Sequence, residues 1–373
     1  GKITDDYRIE QSLPTVHYLL DHDVKLIICS HLGRPKGVDG SLSLAPVAKR
    51  LAKLLDREVE FAGDAGGPLS QQAASSLGAG GVLLLENLRF FPGEKADDDN
   101  FAKQLAGLAD IFVQDGFAVA HRKDASTDAV THYLPSVAGL LLEKEVTAIT
   151  QAMEDPERPL MAIVGGAKIA DKIDVLNRFI DLADMVAIGG AMANTFLAAQ
   201  GVDVGASLYD QDGLQTAKDI MAKAAAKAAA GKFTFLLPSD GVVATDMTES
   251  ATTRVVSWDT DGGIESDDKI LDIGPASAAA IAAAIKQAKT VLWNGTMGVT
   301  EFGPFTHGTE TITEAMISGE HKPRTVVGGG DTVGYVESRG LTDRFSHVST
   351  GGGASLELMA GHKLPAVEAL LDK

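Results

Sequence analysis

Short runs of apolar and β-branched residues alternate along the chain with stretches whose apolar positions repeat at helical spacing. Helical spacing and high helix propensity mark residues 44–55, 170–182 and 221–230. Alternation of the two patterns is typical of βαβ units, in which helices connect parallel strands. The sequence therefore predicts an α/β fold with mostly parallel sheets. The predicted strands lie at 25–29, 81–85, 111–114, 160–164, 185–188, 233–237, 290–293 and 325–327.

The chain is long enough to form two hydrophobic cores. Its 373 residues exceed the size at which a single core usually keeps growing. A predicted helix from about residue 135 leads into the proline-bounded stretch 155–159, the kind of segment at which domains divide. We predict one domain at 1–150 and a second at 151–355, and we expect the apolar stretch 364–371 to dock as a helix.

Composition excludes several classes of protein. The net charge of -18, from 33 basic and 51 acidic residues, argues against binding to nucleic acid or an anionic membrane, because both need an extended basic surface. Neither a membrane span nor a secretory signal is visible. The single cysteine, Cys29, lies in an apolar run, which predicts a buried strand residue and excludes an intrachain disulfide. A reducing cytoplasm fits this usage.

Glycine-rich turns follow four of the predicted strands and run directly into helices. Glycine allows a ligand to approach the backbone closely, and helix N-termini present free N–H groups to anions. One such turn would be as consistent with a tight turn as with a ligand site. Four in the second half of the chain favour a site for phosphates. They contain Gly165 and Gly166, Gly189 and Gly190, Gly328 to Gly330, and Gly351 to Gly353.

The residues beside these turns favour a polyphosphate ligand over a dinucleotide. Neither a P-loop motif nor a dinucleotide-binding glycine fingerprint occurs. Lys168 and Lys172 are four residues apart at the start of a predicted helix, which places both ammonium groups on one face; the alternative is two solvated lysines. Asp331 follows three glycines, where a carboxylate suits Mg²⁺ or an N-cap.

The first half of the chain carries cations where the second half carries glycines. Open α/β sheets bind ligands at the carboxyl ends of their strands, and several cationic side chains follow predicted strands or lie in loops. Each one alone is more often a surface residue than a ligand. Together, in an acidic protein, they predict a site for a small polyanion. The five are Arg8, His31, Arg34, Arg89 and Arg122.

In combination and in this order, the sequence motifs resemble the phosphoglycerate kinase family along the whole chain. The resemblance implies two Rossmann-like, three-layer domains with mostly parallel sheets, joined by a hinge helix, with the segment 356–373 packed on the first domain. It also implies a monomer with small-molecule substrates. The motifs are Ser-His-Leu-Gly-Arg-Pro at 30–35, Leu-Glu-Asn-Leu-Arg-Phe at 85–90, Asp-Gly-Phe-Ala-Val-Ala-His-Arg at 115–122, Gly-Gly-Ala-Lys-Ile-Ala-Asp-Lys at 165–172, Asp-Ile-Gly-Pro at 272–275, Trp-Asn-Gly at 293–295, and the glycine turns at 328–332 and 349–356.

The resemblance assigns the candidate residues to two ligands. It implies that the five cations, with Leu32 and Gly33, hold 3-phosphoglycerate in the first domain. It implies that ATP or ADP binds with Mg²⁺ in the second domain, with Asp331 as the metal ligand and Gly351, Gly352 and Gly353 as an anion-binding helix N-terminus. The residues implied for the nucleotide are Ala167, Lys168, Lys172, Gly189, Gly190, Asn294, Glu301, Gly329, Gly330, Asp331 and Thr332.

The implied chemistry needs no general base. The acceptor in the reverse direction is a carboxylate, which is ionised at pH 7. Phosphoryl transfer does need alignment and neutralisation of charge, which Arg8 and Lys168 can supply as catalytic residues. Because the two ligands would lie on different domains, the enzyme must close about its hinge to bring them into line.

Several positions depart from the family pattern. Ala191 and Thr296 replace an expected glycine and proline, and Gly116 and Ala118 alter the usual Asp-Ala-Phe-Gly. The family also has an earlier strand with a substrate-contacting Arg-x-Asp-x-Asn motif, so a chain that begins at Gly1 is expected to have a weakened first sheet and poor activity. Two alternatives stay open: an inactive nucleotide-binding homologue, and a nicotinamide-dependent dehydrogenase that the missing fingerprint disfavours.

Overall fold

A computed structural model describes residues 3–258, 263–319 and 322–371. The chain forms two compact units. The first contains residues up to Val146 together with those from Lys363 onward, and the second runs from Thr147 to His362. Residues 356–362, which we grouped with the C-terminal segment from the sequence, thus belong to the second unit.

The first unit carries two parallel sheets. Strands β1, β3 and β2 form one sheet in the order β1–β3–β2, and β4 pairs with β5 in the other. Both sheets contribute to one apolar cluster, because Ile27 of β1 and Phe112 of β4 pack against it. The elements are α1 (Tyr7–Leu20), β1 (Leu26–Ile28), α2 (Ala45–Leu55), β2 (Glu60–Ala62), α3 (Pro68–Ser76), β3 (Val82–Leu85), α4 (Pro92–Lys95), α5 (Asp99–Ala106), β4 (Phe112–Gln114), β5 (Ser136–Ala138) and α6 (Leu140–Glu154), in which the unit boundary falls.

The second unit is built on a six-stranded parallel sheet in the order β14–β13–β12–β6–β7–β8. Between β8 and β12, the chain forms a smaller antiparallel sheet in the order β10–β9–β11. The elements are β6 (Leu160–Val164), α7 (Ile173–Leu182), β7 (Met185–Ile188), α8 (Gly190–Ala199), α9 (Leu214–Ala230), β8 (Thr234–Leu236), β9 (Asp240–Ala244), β10 (Arg254–Ser257), β11 (Lys269–Ile273), α10 (Pro275–Ile285), β12 (Thr290–Asn294), α11 (His307–Ile317), β13 (Arg324–Gly328), α12 (Gly330–Ser338), β14 (His347–Val348) and α13 (Gly353–Met359).

The central strands of the second unit are covered on both faces. Every residue of β6, β7 and β12 is buried, as expected for a parallel sheet between two helical layers. The register places Val164 opposite both Asn294 and Ile188, and Asn294 opposite Gly328. The carboxyl ends of four strands therefore lie side by side along one edge of the sheet.

The chain ends in α14 (Pro365–Leu371), which belongs to the first unit. The Ala366 backbone N–H donates to the Ala120 carbonyl at 3.1 Å. No helix in the described ranges combines the length and the apolar character needed to cross a membrane. Cys29 was predicted to be a buried strand residue, but it lies just beyond β1, which ends at Ile28. The residue is accessible to solvent, although surrounding groups bury the thiol enough to raise its pKa to about 12.

Two side chains of the first unit accept hydrogen bonds from the first backbone N–H groups of helix α6. The Asp115 carboxylate accepts from the Leu141 and Leu142 backbone N–H groups at 2.9 and 3.3 Å, and Thr15 Oγ1 accepts from Leu140 N–H at 3.0 Å. A side chain on Gly139 would lie 2.2 Å from Asp115 Oδ1. The helix start therefore depends on a carboxylate at 115 and on the lack of a side chain at 139.

We expect Asp115→Ala to lower the free energy of unfolding by about 2 kcal/mol, because it leaves helix N–H groups without an acceptor. Urea denaturation measures the loss. Asp115→Asn keeps one acceptor oxygen and should lose less, and Asp110→Ala, at an exposed position, is the matched control. Equal stability of Asp115→Ala and the control would contradict this account of the helix start.

Candidate functional site

Cationic side chains gather near the carboxyl ends of strands in the first unit. Arg8 lies in the first turn of α1, His31 and Arg34 in the loop after β1, Arg89 after β3, and Arg122 after β4. Burial lowers the pKa of His31 to about 4, and the positive charges of Arg89, Arg122 and Arg8 contribute. Burial also lowers the pKa of Arg89, with contributions from Arg122 and Arg34. The structure thus brings all five predicted cations into one cluster with a neutral histidine at pH 7.

A buried asparagine holds the loop that carries His31 and Arg34. Asn87 Nδ2 donates to the carbonyls of Leu32 and Leu42 at 2.8 and 2.9 Å, and its Oδ1 accepts from the Leu32 backbone N–H at 3.2 Å. The same oxygen accepts from the Arg89 backbone N–H at 3.1 Å. Asn87 therefore fixes two parts of the cluster to each other. Sequence analysis gave it no role, although a polar residue two positions after a buried strand was a usable signal.

Arg89 has donors available for a ligand. Its Nη1 donates to the Gly33 carbonyl at 2.6 Å. Its Nε and Nη2 atoms are buried and have no hydrogen-bond partner in the described part of the chain. A buried guanidinium with unused N–H groups suits a carboxylate or phosphate, which can accept two parallel hydrogen bonds.

Two acidic residues that sequence analysis missed lie near this cluster. Glu94 and Asp124 are buried, and both raise the pKa of Arg89 against the effect of burial. Burial raises the pKa of Glu94 itself to about 7, although its oxygens accept from the Ser126 hydroxyl and backbone N–H at 2.6 and 3.1 Å. The two carboxyl groups therefore offset part of the positive charge of the cation cluster.

In the second unit, the glycine turns pack against one another at the shared sheet edge. A side chain on Gly165 would lie 2.0 Å from the Thr296 carbonyl oxygen, and one on Gly189 would lie 2.3 Å from Met297 Sδ. Gly190 N–H donates to the Met297 carbonyl at 3.0 Å. These glycines permit backbone segments to approach so closely that no side chain fits between them.

Lys172 connects two of these turns. Its Nζ donates to the carbonyl of Gly165 at 2.6 Å and to the Asn294 side-chain oxygen at 2.6 Å. Burial lowers the pKa of Lys172 to about 8, while the charges of Asp331 and Asp171 act in the opposite direction. The ammonium group is therefore held by protein oxygens in a partly desolvated position.

The two predicted lysines do not share one face of an α-helix. Residues Ala170–Lys172 form a 3₁₀ turn and α7 begins at Ile173, so both lysines precede the α-helix. Lys168 and Ala167 are exposed in the turn after β6, whereas Lys172 is partly buried. The α-helix begins later than predicted, because the glycine turn delays the first α-helical hydrogen bonds.

Asn294 and the start of α12 complete this edge. Asn294 is 1% exposed, and its Nδ2 is buried without a hydrogen-bond partner in the described residues. A side chain on Gly329, which has φ +91, would lie 3.0 Å from that atom. The unused amide donor thus points at the glycine turn that begins α12.

The remaining predicted residues differ in their surroundings. The Thr332 hydroxyl accepts from the Gly295 backbone N–H at 2.6 Å. Asp331 and Gly330 are exposed in the first turn of α12, and Glu301 is exposed after β12. Gly351, Gly352 and Gly353 lead into α13, where a side chain on Gly328 would lie 2.9 Å from Ser355 Oγ. No group of three metal-ligating side chains occurs among the described residues.

A small pocket of about 10 Å³, open to solvent, lies beside Gly190. It is bounded by residues from α8, from the antiparallel sheet and from the loop after β12. Sequence analysis missed it, because residues from segments far apart along the chain form its walls.

The structure is that of a two-unit α/β protein, with a cluster of cations in the first unit and a set of glycine turns at one sheet edge in the second. The family model described as phosphoglycerate kinase matches residues 1–362. Curated phosphoglycerate kinases of Moorella thermoacetica and Roseiflexus sp. are each 48% identical over 100% of this chain and 93% of their own length. The chain belongs to the phosphoglycerate kinase family, so the predicted α/β fold and the predicted function, that of a glycolytic kinase, are confirmed.

Solved structures agree with this membership. The phosphoglycerate kinase from Coxiella burnetii superposes with a TM-score of 0.85 at 39% identity, covering 99% of this chain and 92% of its own. The phosphoglycerate kinase from Pyrococcus horikoshii gives 0.87 at 30% identity with the same coverage. The match to a kinase family also removes the dehydrogenase alternative.

We expect anion binding at the first-unit cluster to be coupled to protonation of His31. A bound anion offsets the surrounding positive charge and raises the pKa of His31 from its ligand-free value of about 4. Binding of 3-phosphoglycerate between about pH 5 and 6.5 should therefore take up a fraction of a proton at His31, and this contribution should strengthen binding as the pH falls.

Calorimetric titration in two buffers of different ionisation enthalpy measures this proton uptake. His31→Asn is the reference protein, because the phosphate of the ligand itself titrates at about pH 6. The wild-type protein should take up more protons than the variant. Equal uptake by both would contradict a role for His31 in the linkage.

Proposed function

We propose that this protein transfers a phosphoryl group reversibly between 1,3-bisphosphoglycerate and ADP, giving 3-phosphoglycerate and ATP. Family membership over the whole chain supports the reaction. The observation that supports assigning one ligand to each unit is the presence of unused buried donors, two on Arg89 and one on Asn294, because these residues lie in different units.

In this proposal, the first unit binds the phosphoglycerate. Arg8, His31, Arg34, Arg89 and Arg122 surround the anion, with Leu32 and Gly33 in the loop between them. Arg89 is the anchor, since its Nε and Nη2 groups have no protein acceptor. Two charge-assisted hydrogen bonds from one guanidinium bind and orient a carboxylate or phosphate at once. Asn87 acts indirectly by holding the loop and Arg89 together.

The second unit binds the nucleotide at the shared edge of its sheet. Lys172 and the Asn294 amide face the phosphates, and the free N–H groups at the start of α12 add a favourable dipole. Gly189, Gly190 and Gly329 let the turns around the site pack closely, while Gly330, Ala167, Lys168, Glu301 and Thr332 border the site. Phosphate binding should raise the low pKa of Lys172, because it adds negative charge to that of Asp331 and Asp171.

We propose that Mg²⁺ accompanies the nucleotide and that Asp331 is its protein ligand. Asp331 is exposed in the first turn of α12, close enough to Lys172 to affect its pKa. One carboxylate with phosphate oxygens is a usual ligand set for Mg²⁺, so the lack of a larger acidic cluster among the described residues fits. The ion would supply neutralisation of charge on the transferring group.

The residues provide positioning and charge rather than proton transfer. The attacking carboxylate of 3-phosphoglycerate is already ionised, so no base is required. Arg8 and Lys168 are both exposed, and we propose that they neutralise charge on the equatorial oxygens of the transferring group, together with backbone N–H groups of Gly351, Gly352 and Gly353. Transfer in line requires the two ligands to meet, which we propose occurs by closure about a hinge.

We further propose that the protein acts as a monomer in the cytoplasm. A single cysteine among 373 residues is compatible with a reducing compartment. Gel filtration at several concentrations tests the oligomeric state, and a concentration-dependent shift to twice the mass would contradict it.

The direct test is ADP formation from ATP with and without 3-phosphoglycerate, followed with a coupled assay. We expect formation that depends on both substrates, and Arg89→Leu should raise the KM for 3-phosphoglycerate by roughly tenfold or more. Nucleotide binding without phosphoglycerate-dependent ADP formation would instead support the inactive homologue. Arg57→Leu, at an exposed position of the same unit, is the matched control.

We expect Lys168→Ala to lower turnover by roughly 100-fold or more while nucleotide affinity changes only several-fold. The reason is that a charge aimed at the transition state contributes more there than in the ground state. Steady-state kinetics and nucleotide titration measure the two effects. Lys218→Ala, on the exposed surface of α9, is the control, and unchanged turnover of Lys168→Ala would exclude a catalytic role.

A further inference from the structure

One buried glutamate joins two segments that carry arginines of the cation cluster. Arg89 lies shortly before the short helix α4, and Arg122 precedes a loop that contains Ser126. Glu94 of α4 is 3% exposed. Its Oε1 accepts from the Ser126 hydroxyl at 2.6 Å, and its Oε2 accepts from the Ser126 backbone N–H at 3.1 Å. A single carboxyl group thus holds α4 to the loop after Arg122.

Further hydrogen bonds extend this connection towards Arg122. The Glu94 carbonyl accepts from the Ala125 backbone N–H at 2.8 Å. In the same loop, the Thr127 hydroxyl donates to the Arg122 carbonyl at 3.2 Å. The positions of Arg89 and Arg122 are therefore coupled through groups of the protein itself.

The charge of Glu94 also acts on the cluster. Burial raises the pKa of Glu94 to about 7, and the nearby charge of Asp124 raises it further, whereas the hydrogen bonds from Ser126 and the charge of Arg89 lower it. In turn, Glu94 raises the pKa of Arg89. The carboxyl group therefore changes charge near neutral pH, beside an arginine that has unused buried donors.

Titratable groups from other segments interact with Glu94. Arg89 precedes α4, Asp124 lies in a loop after β4, and Cys29 lies just after β1. Burial and the charge of Glu94 raise the pKa of the Cys29 thiol to about 12. Neither this thiol nor a guanidinium changes charge near neutral pH, which leaves the carboxyl groups as the source of titration there.

Both charge states of Glu94 can hold the loop. The carboxylate accepts from the Ser126 hydroxyl and from its backbone N–H. A protonated carboxyl group can still accept from the N–H at one oxygen and can donate its own O–H to the hydroxyl oxygen. A glutamine amide offers the same pair of one acceptor and one donor. Protonation therefore changes the charge near Arg89 while the two segments stay joined.

We infer that Glu94 is a positioning residue of the phosphoglycerate site, which joins the segments of Arg89 and Arg122 and whose charge sets how strongly the cluster binds an anion. The inference rests on the proposed binding of 3-phosphoglycerate to the first unit. A negative charge at Glu94 offsets the charge of the cations, so the neutral form should bind the anion more tightly.

The sign of the pH dependence follows from this arrangement. A bound anion adds negative charge, which raises the pKa of Glu94 above its ligand-free value of about 7. Binding should therefore take up a fraction of a proton between these two pKa values. The contribution of Glu94 to affinity is largest below about pH 7 and is lost as the pH rises through the pKa of the complex.

Proton uptake on binding is the direct test. The wild-type protein is titrated with 3-phosphoglycerate at about pH 7.5, in two buffers of different ionisation enthalpy, because most of the ligand phosphate is already ionised at that pH. We expect uptake of a fraction of a proton, and little uptake by Glu94→Gln. Glu58→Gln, the same change at an exposed position of this unit, is the matched control and should behave like the wild type.

Sulfate serves as a second probe in the same experiment, because it does not titrate in this range. Uptake on sulfate binding comes from the protein alone. Lack of uptake by the wild-type protein, or equal uptake by the wild type and Glu94→Gln, would overturn the inference.

The KM for 3-phosphoglycerate as a function of pH gives a second measurement. At about pH 8.5, Glu94→Gln should have a KM about threefold lower than the wild type, with a flatter profile towards neutral pH. Ser126→Ala removes a hydrogen bond that lowers the pKa of Glu94, so the rise in KM should move to higher pH. The KM for ATP, measured in parallel, should not follow these changes. The same profile in the wild type and both variants would contradict a role for the charge.

A third variant tests the joining of the two segments. Glu94→Ala removes the hydrogen bonds as well as the charge, so its KM for 3-phosphoglycerate should exceed that of Glu94→Gln by about fivefold. Equal KM values for the two variants would show that Glu94 acts by charge alone and would overturn its positioning role.

The outcomes separate this inference from the proposed function. A protein that takes up the proton with 3-phosphoglycerate or sulfate but forms no ADP would refute the proposed reaction and keep the inference. An active kinase with equal uptake in the wild type and Glu94→Gln would do the reverse. If a variant fails to fold, the titrations of the wild-type protein with the two anions decide.

Discussion

The second unit depends on the close approach of glycine turns at one edge of its parallel sheet. The register of β6, β12 and β13 brings Val164, Asn294 and Gly328 side by side, so the turns that follow must share very little space. Glycine at 165 resolves this crowding, because any side chain there would overlap the Thr296 carbonyl. The close packing of these turns therefore requires glycine at this position.

Both units hold basic side chains in positions where the charged form is unfavourable without a ligand. Burial lowers the pKa of Lys172 to about 8 and, with three nearby arginines, that of His31 to about 4. Each shift reflects the loss of solvation of the charged form, and at His31 the repulsion from the arginines adds to it. An anion that enters either cluster would favour the charged form again. The sites are thus partly prepared for negative ligands before those ligands arrive.

The sequence allowed the strands, the glycine turns and the cations to be predicted, because each has a local signature. It did not allow the contacts of Lys172 to be predicted, since the Asn294 oxygen that it reaches is 122 residues away. The exposure of Cys29 also escaped prediction, because an apolar run shows that a strand is present but not where it ends. The antiparallel sheet and its pocket were missed for a related reason: the fit of Trp258 on Gly241 arises only when β9 and β10 pair.

Because the chain is acidic overall, its clusters of cations differ in charge from the rest of its surface. A net charge of -18 repels polyanions from most of the molecule, so the local cation clusters are the places where phosphorylated ligands gain free energy. The positive charge of the cluster is itself partly offset, since Glu94 and Asp124 lie near Arg89 and counteract part of its charge. Too much uncompensated charge would destabilise the fold, and too little would weaken binding. The buried carboxylates near the cluster are therefore part of how the first unit keeps a polyanion site in a stable core.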